Sequence, residues 1–359
     1  MFRTILLFIL SLTLCAAPAM ACTDFVVKAA DGTVVNGRSM DFAIEDQARV
    51  TVYPRGKQWT SEAPGKKQGL KWKQRYGFVA FSILGMEKST DGMNEKGLSA
   101  KFLWLPSVGY QTVPEGQEAK ALDVTLVPDW ILGSFSTVAE VKEALPALFV
   151  WGNELPVLNS VPVLHVAVHD AQGNSIVAEW IGGELHLYDN PLGIMTNEPP
   201  LPEQWANLRN YVNLSPMVQQ PLELDGMTVS GTGNGSGLLG LPGDCTPPSR
   251  FVRIAILRQF AYQPKDDDEA IVFARHLLEQ VYVMKGISRS NAPKGVVDAD
   301  YTQWTAIEDL TNRVLYFSNY DDQTLRAIDL KKLDFTRADY KPIPVGEPSG
   351  HAISDVTPR

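Results

Sequence analysis

Two runs rich in β-branched and aromatic residues flank the dipeptide Asp31-Gly32 within CTDFVVKAADGTVVNGRSMDF, residues 22–42. Asp-Gly is a favoured turn between two antiparallel strands, so the segment predicts a β-hairpin with Cys22 at its free end. Because strand side chains alternate between faces, Cys22 and Asp24 should share one face of the first strand. The first strand of the fold should therefore begin at or next to Cys22.

Later segments continue a mixed pattern of strands and helices. Strand patterns occur in YGFVAFSIL, GLSAKFLWL and VLHVAVHD, and again near the end in YTQWTAIEDL and QTLRAIDL. Helical patterns lie mainly between them, in LDVTLVPDWILGSF, STVAEVKEAL, EQWANLRNYV, SRFVRIAILRQFAY and DDDEAIVFARHLLEQVYVM. This order favours a layered α+β fold over a series of parallel βαβ units. No Pro/Gly-rich linker divides the chain, so we expect a single domain over residues 22–359.

Local signals predict where some of these elements begin. TDGMNEKG, residues 90–97, predicts a turn that leads into the strand GLSAKFLWL. Ser136 or Thr137 is placed to cap the helix STVAEVKEAL, and Glu140 to complete a capping box. The glycine-rich segment 231–244 lacks the Lys-Ser/Thr ending of a phosphate-binding loop and follows no clear strand, so it predicts an ordinary loop.

The first 21 residues have the pattern of a secretory signal peptide. Arg3 supplies a positive charge, ILLFILSLTL is a short apolar run, and Ala19 and Ala21 are small residues of the kind that a signal peptidase requires. We expect cleavage after Ala21 and export to the periplasm, which would leave Cys22 as the first residue. A lipoprotein signal also leaves a terminal cysteine and is the alternative, although Ala19 stands where such signals usually carry leucine.

The balance of charge argues against several classes of partner. The 359 residues include 41 acidic and 32 basic residues, for a net charge of -9, without a basic cluster. Nucleic acid and anionic membranes are therefore poor partners for this chain. No segment after the signal approaches 18 consecutive apolar residues, so we expect a soluble mature protein.

Two cysteines, Cys22 and Cys245, remain after the signal is removed. In an oxidising compartment, the ordinary interpretation of such a pair is a disulfide. A chain of this length does not need one bridge for stability, and we expect Cys245 to be a small buried apolar residue instead. The disulfide remains the alternative.

A cysteine at the first position of a chain carries its own candidate base. A thiol needs a base to become a nucleophile, and a free α-amine, with a pKa of about 7.7–8.0, is partly neutral near pH 7. Both groups are bonded to one Cα, so they lie close together without a folding cost. Arg38 and Asp41 in the second strand are candidates to tune the thiol and to orient the amine. Each alone is more often a surface or salt-bridge residue.

Other catalytic and metal-binding patterns are missing from the sequence. His165 and His169 are the closest pair among five histidines. On a strand they would lie roughly 13 Å apart, too far to share a metal ion. The chain has no Gly-x-Ser-x-Gly elbow, no HExxH and no Walker loop. We therefore expect neither a metal nor a cofactor.

Several motifs, in order along the chain, resemble those of the choloylglycine hydrolase family, which comprises bile salt hydrolases and penicillin V acylases. They are Cys22-Thr23, GRSMD with Arg38 and Asp41, DGMNEKGL at 91–98, TNEP with Asn197, and GLPGDCTPPSRFVR with Arg250. The family consists of N-terminal-nucleophile amidases with a four-layer αββα sandwich. The resemblance implies a cysteine nucleophile at Cys22, the paired Arg38 and Asp41, an oxyanion-hole amide at Asn197 and a catalytic-site arginine at Arg250.

Trp104 departs from the bile salt hydrolase pattern. About ten residues past MNEKG, bile salt hydrolases carry asparagine and some penicillin V acylases carry tyrosine. Tryptophan there is similar to the Gram-negative branch, whose members have a signal peptide and cleave penicillin V and long-chain N-acyl homoserine lactones, the second activity being quorum quenching. We therefore expect Trp104 to bind a phenoxyacetyl or fatty-acyl group, either through packing or through its indole N–H.

Two other interpretations remain. A bile salt hydrolase differs from the first interpretation in substrate alone. A lipidated or disulfide-bonded binding protein without turnover belongs to another class, and modification of Cys22 would distinguish it. Family members are often homotetramers, which makes a homotetramer one possible assembly, although the sequence does not predict it.

Overall fold

The computed structural model describes residues 21–45, 47–289 and 299–346. The predicted signal peptide, residues 1–21, lies outside the described residues apart from Ala21. The α-helices are α1 (Val127–Ser134), α2 (Val138–Ala144), α3 (Leu201–Asn207), α4 (Pro247–Phe260) and α5 (Asp267–Glu279). The strands are β1 (Thr23–Lys28), β2 (Val34–Phe42), β3 (Arg49–Tyr53), β4 (Gln58–Ala63), β5 (Lys67–Lys73), β6 (Phe78–Ser82), β7 (Ser89–Asn94), β8 (Ser99–Trp104), β9 (Ala121–Asp123), β10 (Phe149–Trp151), β11 (Leu164–His169), β12 (Ser175–Ile181), β13 (Glu184–Asp189), β14 (Ile194–Met195), β15 (Leu222–Leu224), β16 (Met227–Val229), β17 (Ser288–Arg289), β18 (Ala299–Asp309), β19 (Val314–Asn319), β20 (Arg326–Asp329) and β21 (Ile343–Pro344).

Two large antiparallel sheets form the centre of the molecule. The first has the order β14-β1-β2-β18-β19-β20, with β17 paired to β18, and the second has the order β13-β12-β11-β8-β7-β6-β3-β21. Helices α4 and α5 pack on the first sheet against β1 and β2, while α1 and α2 pack on the second against β7 and β12. The arrangement is the four-layer αββα sandwich that the resemblance implied.

The hairpin predicted over residues 22–42 is confirmed. Strands β1 and β2 pair antiparallel, with Thr23 opposite Ser39 and Asp24 opposite Arg38. Strand β2 also pairs with β18, so it lies inside the sheet and is buried along its whole length. A Cβ at Gly37 would approach the ring of Phe25 to 2.4 Å, so the hairpin needs glycine there.

Buried charged side chains join the facing sheets. The ion pairs are Arg38–Asp91 at 2.8 Å and Lys101–Glu308 at 2.5 Å, and His169 Nε2 also forms a hydrogen bond with Asp24 Oδ2 at 2.6 Å between the sheets. Removing one partner of a buried ion pair leaves an uncompensated charge and typically costs about 3–5 kcal/mol. These contacts therefore fix the two sheets relative to each other. Arg38, from the first pair, also acts on the Cys22 thiol.

Several element boundaries differ from the sequence-based predictions. Residues 90–94 of the predicted turn segment belong to strand β7, because Asp91 is buried against Arg38 and Gly92 lets the chain approach β6 closely. The turn itself lies at residues 95–97 and leads into β8 as predicted. The first predicted helix starts only at Val127, because the residues before it form β9 and a short 3-10 turn. The helix predicted to run to Met284 ends at Glu279.

The predicted capping box is present at α2. Thr137 accepts a hydrogen bond from the backbone N–H of Glu140, and the side chain of Glu140 accepts one from the backbone N–H of Thr137. Thr137, rather than Ser136, is therefore the N-cap. Among the described residues, no helix combines the length and hydropathy needed to cross a bilayer.

Candidate active site

Cys22 lies immediately before β1, with its side chain fully buried. Its Sγ lies 3.8 Å from Met40 Sδ and 3.8 Å from the backbone oxygen of Asp41. The backbone N–H of Ala21 donates to the same oxygen at 3.4 Å. The bond between Ala21 and Cys22 therefore lies beside Asp41, and cleaving it would free the α-amine at that place.

Arg38 lies on the same face of the hairpin as Cys22, because it stands opposite Asp24 in the pairing register. Its Nε donates to Asp91 Oδ2 at 2.8 Å and one terminal nitrogen donates to the backbone oxygen of Phe102 at 3.0 Å. Burial raises the pKa of the Cys22 thiol above its ordinary value, and the positive charge of Arg38 opposes that shift. Arg38 can therefore make the thiolate more accessible than burial alone would allow.

The Asp41 carboxylate faces the other side of the strand. Its oxygens accept hydrogen bonds from the hydroxyls of Ser39, at 3.0 Å, and of Thr302. Burial raises the pKa of Asp41 to about 6, although the charge of Arg250 opposes this shift. Asp41 thus contacts the Cys22 thiol through its backbone carbonyl, while its carboxylate is held in place by two hydroxyls.

Arg250, near the start of α4, makes hydrogen bonds to several other residues of the site. One guanidinium nitrogen donates to the backbone oxygen of Cys22 and to Thr23 Oγ1, the latter at 2.6 Å. The other terminal nitrogen donates to Asn197 Oδ1 at 2.8 Å, and Nε donates to the backbone oxygen of Cys245 at 3.0 Å. One fully buried side chain therefore fixes the positions of Cys22 and Asn197 together.

Asn197 follows β14 and presents its amide in a fixed orientation. Because Oδ1 accepts from Arg250, Nδ2 points away and donates to the backbone oxygen of Trp104 at 2.9 Å. A side-chain amide nitrogen carries two hydrogens, and no acceptor within the described residues takes the second. Asn197 is therefore oriented as a hydrogen-bond donor, and the second hydrogen of its Nδ2 has no acceptor among the described residues.

Trp104 ends β8 and lines an apolar pocket with a volume of about 60 Å³. Other residues of its wall include Met40, Phe42, Leu84, Met86 and Phe102. The indole Nε1 is buried and has no hydrogen-bond partner among the described residues. Since Met40 contacts Cys22 Sγ as well, this pocket adjoins the thiol and can receive the apolar part of a substrate.

The remaining candidates lie outside the cluster around Cys22 Sγ. Cys245 is free and half-buried, so the prediction of a fully buried side chain is wrong, because it lies in the loop before α4 rather than in the core. Cys22 is free as well, so the structure contains no bridge between them. His165 and His169 lie on β11 with different partners, Glu179 and Asp24. No three His, Cys, Asp or Glu residues among those described are grouped to hold a metal ion.

Two side chains near the thiol were missed by sequence reasoning. Asp91 belongs to the motif DGMNEKGL, which was recognised without a role for its carboxylate, and it is the ion-pair partner of Arg38. Met40 contacts Cys22 Sγ and lines the apolar pocket. Alternation along β2 could have found Met40, since it shares a face with Arg38.

Comparison of the sequence with known proteins shows the family to which the chain belongs. The family described as linear amide C–N hydrolases, choloylglycine hydrolase family, matches residues 22–343. The bile salt hydrolase/transferase of Clostridium perfringens is 30% identical over 320 residues, covering 87% of this chain and 93% of that protein. The penicillin V acylase of Pectobacterium atrosepticum is 26% identical over 349 residues, covering 91% of this chain and 85% of that protein.

Comparison with solved structures supports the same family. A variant of the conjugated bile acid hydrolase from Clostridium perfringens is similar with a TM-score of 0.82 and 28% identity, covering 93% of this chain and 100% of that one. The penicillin V acylase from Agrobacterium tumefaciens is similar with a TM-score of 0.71 and 26% identity, covering 88% of each chain. The protein belongs to the choloylglycine hydrolase family and is a hydrolase of linear amide bonds.

Proposed function

We propose that the protein is an N-terminal cysteine amidase that hydrolyses the side-chain amide of penicillin V, the amide of long-chain N-acyl homoserine lactones, or both. The observation that carries this proposal is the position of Arg250. Its guanidinium bonds the carbonyl of Cys22 and the side chain of Asn197 together, beside the apolar pocket that Trp104 lines. A nucleophile, an oriented donor and an acyl pocket thus lie in one place.

The reaction would proceed through a thioester on Cys22. Sγ attacks the substrate carbonyl carbon while the thiol proton passes to the α-amine that cleavage after Ala21 frees. Asn197 Nδ2 and a backbone N–H stabilise the oxyanion, and losing one such donor typically costs about 100- to 1000-fold in rate. The tetrahedral intermediate collapses, breaking the C–N bond, and the amine product leaves with the proton. Water, deprotonated by the same α-amine, then hydrolyses the thioester and releases the acid.

The apolar pocket supports an acyl or aryl group as the part of the substrate bound next to Cys22. Its volume is about 60 Å³, whereas a cavity of about 150 Å³ is known to bind benzene. A phenoxy ring or a long acyl chain therefore requires side chains of the wall to move. Met40 and Met86 are suited to this because methionine is unbranched and adapts its shape easily.

A bile salt hydrolase is the second candidate, and a specific observation favours it. The bile acid hydrolase structure has a TM-score of 0.82, against 0.71 for the penicillin V acylase structure. Trp104 argues for the first candidate, because a flat indole at the wall of a small pocket suits a ring or chain better than a hydroxylated steroid.

The test is a substrate panel on purified protein whose N-terminus is Cys22. Penicillin V, decanoyl homoserine lactone and glycocholate are compared by kcat/KM, with Cys22→Ala as the inactive control. The proposal expects penicillin V and the lactone to be cleaved faster than glycocholate. A preference for glycocholate would transfer the assignment to the second candidate.

We further propose that the protein is exported to the periplasm with residues 1–21 as its cleaved signal peptide. This is supported by the pattern of Arg3, the apolar run and Ala19–Ala21. Cell fractionation with N-terminal sequencing tests it. Periplasmic protein beginning at Cys22 is expected, whereas cytoplasmic protein or a lipid on Cys22 would contradict it.

We also propose a homotetramer, which rests on the segment 212–239. This segment, which includes β15 and β16, carries exposed apolar side chains at Val212, Met217, Val218, Leu222, Leu224, Met227, Val229 and Leu239. Apolar side chains clustered on one exposed segment are typical of a protein–protein interface. Sedimentation equilibrium should give four chains, and Leu224→Lys with Met227→Lys should give smaller species. A monomer in the unaltered protein would refute the proposal.

A further inference from the structure

A second cavity lies at the end of β1 that is farther from Cys22. Its volume is about 440 Å³, and its wall is formed by residues 26–28, the loop 190–193 and the end of α4 with the chain after it. Cavities of roughly 300–1,000 Å³ are the usual size for small-ligand sites. Nothing in the amide hydrolysis proposed above uses this cavity.

The charged residues of this wall are all positive. Lys28 and Arg258 line the cavity, and no Asp or Glu is among its lining residues. Arg258 is part-buried, and one of its terminal nitrogens donates to the backbone oxygen of Val26. None of the ion pairs found among the described residues includes Arg258, although part-buried charges are normally paired.

The free edge of the Arg258 guanidinium matches a carboxylate. The nitrogen that bonds Val26 is one terminal nitrogen, and no other hydrogen bond of this guanidinium is found within the described residues, which leaves Nε and the other terminal nitrogen without a protein partner there. These two nitrogens are one of the paired edges with which arginine binds a carboxylate through two parallel hydrogen bonds. Burial lowers the pKa of Arg258 to about 10, and no neighbouring carboxylate offsets this effect.

Two further features restrict the ligand. Ser175 lines the cavity, and its buried Oγ has no hydrogen-bond partner among the described residues. Leu192 and Phe273 give part of the wall an apolar surface. An inorganic phosphate has no apolar part to place there, whereas an organic acid does.

We propose that this cavity binds a small organic carboxylate, which Arg258 anchors through two hydrogen bonds and Lys28 attracts electrostatically. The inference is independent of the substrate of Cys22. Strand β1 connects this cavity with the site around Cys22, since Val26 lies four residues from Cys22. Helix α4 also connects them, because it carries both Arg250 and Arg258.

The test measures binding of benzoate and of inorganic phosphate to Cys22→Ala protein by isothermal titration calorimetry and thermal unfolding. Benzoate should bind saturably and raise Tm, and phosphate at the same concentration should do so much less. Arg258→Gln should weaken benzoate binding at least tenfold. The matched control is Arg275→Gln, which removes an exposed arginine of α5 and should leave binding unchanged.

Lys28→Gln tests the site without touching the core, because Lys28 is exposed, and it should weaken benzoate binding several-fold. This variant decides the question if Arg258→Gln fails to fold. Unchanged benzoate binding in Arg258→Gln, or in Lys28→Gln where the first variant is unfolded, would overturn the proposal. Equal binding of phosphate and benzoate would overturn the assignment to a carboxylate.

Discussion

Arg38 Nε donates a 2.8 Å hydrogen bond to Asp91 Oδ2 across the interface between the two sheets. Both side chains are almost completely buried. Arg38 also influences the Cys22 thiol, whose pKa burial raises and the guanidinium lowers. The ion pair therefore connects the packing of the sandwich to the Cys22 thiol, and we expect Asp91 to act as a positioning residue.

Asp91→Asn should impair catalysis by loosening Arg38. The guanidinium would lose its ionic partner and hold the thiolate less well, and a thiol pKa higher by one unit cuts the thiolate fraction about tenfold below that pKa. The rate of iodoacetamide alkylation of Cys22 against pH measures this shift, and kcat/KM should fall in parallel.

The matched control is Glu308→Gln, which breaks the buried pair with Lys101. It should destabilise the protein to a similar degree but leave the alkylation profile of Cys22 unchanged. If both variants shift the profile equally, Asp91 acts only through general stability and has no positioning role.

Protonation of the α-amine, whose pKa is about 7.7–8.0, lowers activity first, and activity should fall more steeply on the acid side of about pH 6. Burial raises the pKa values of Asp41 and Asp91 to about 6 each, so both carboxyl groups become protonated as the pH drops through this range. A neutral Asp91 no longer holds Arg38 as an ion pair. A plot of kcat/KM against pH, from about 5 to 8, should show this limb. A flat profile down to pH 5 would contradict the roles given to both residues.

The same two carboxyl groups should affect stability in the opposite direction. Their folded pKa lies above the ordinary value of 3.8, so the folded state favours the protonated form. Their stabilising effect is complete below about pH 4 and is lost as the pH rises through about 6. Urea unfolding of the unaltered protein and of Asp91→Asn, compared at several pH values, should show a weaker pH dependence in the variant. An identical dependence in both would argue against a raised pKa for Asp91.

Trp104 should control the preference for acyl groups. Apolar burial contributes roughly 0.8 kcal/mol per methylene, so kcat/KM for acyl homoserine lactones should rise several-fold for each two carbons until the pocket is full. Trp104→Ala should flatten this trend, with less effect on the shortest substrates. Trp104→Asn and Trp104→Tyr test whether this position sets the substrate class. An unaltered trend in Trp104→Ala would remove the indole from the acyl site.

Cys245→Ala should leave activity near the unaltered level. Cys245 has a free, half-buried thiol, and the contact it makes with Arg250 uses its backbone oxygen, which alanine retains. Cys22→Ser, by contrast, should fold but turn over slowly, because an alkoxide is much harder to form than a thiolate. Steady-state rates of both variants measure the difference. Loss of activity in Cys245→Ala would show that its thiol takes part.

The sequence predicted those features whose signals are local. Asp31-Gly32 specified the hairpin, and Thr137 with Glu140 specified a helix start, because each involves residues within a few positions of each other. The partner of Arg38 could not be predicted in this way. Asp91 lies 53 positions away and on the other sheet, so the contact depends on how the two sheets face each other.

Packing also explains where pattern-based predictions were wrong. DGMN resembles a turn by composition, but its residues form a buried strand in which Gly92 allows close approach of Val79 and Ala80. The half-buried position of Cys245 depends on the loop before α4, whose path the sequence pattern does not determine. The motif residues Asn197 and Arg250 were named through resemblance rather than through spacing, and Arg250 hydrogen-bonds both the backbone oxygen of Cys22 and Asn197 Oδ1.

We propose that cleavage after Ala21 makes Cys22 the first residue of the chain and that Cys22 is the nucleophile. The most direct measurement is mass spectrometry of active protein quenched in acid during turnover of penicillin V, followed by peptide mapping. The account predicts an N-terminal peptide that begins at Cys22 and carries one phenoxyacetyl group as a thioester. Fully active protein that retains Ala21, or an acyl group on any other residue, would contradict it.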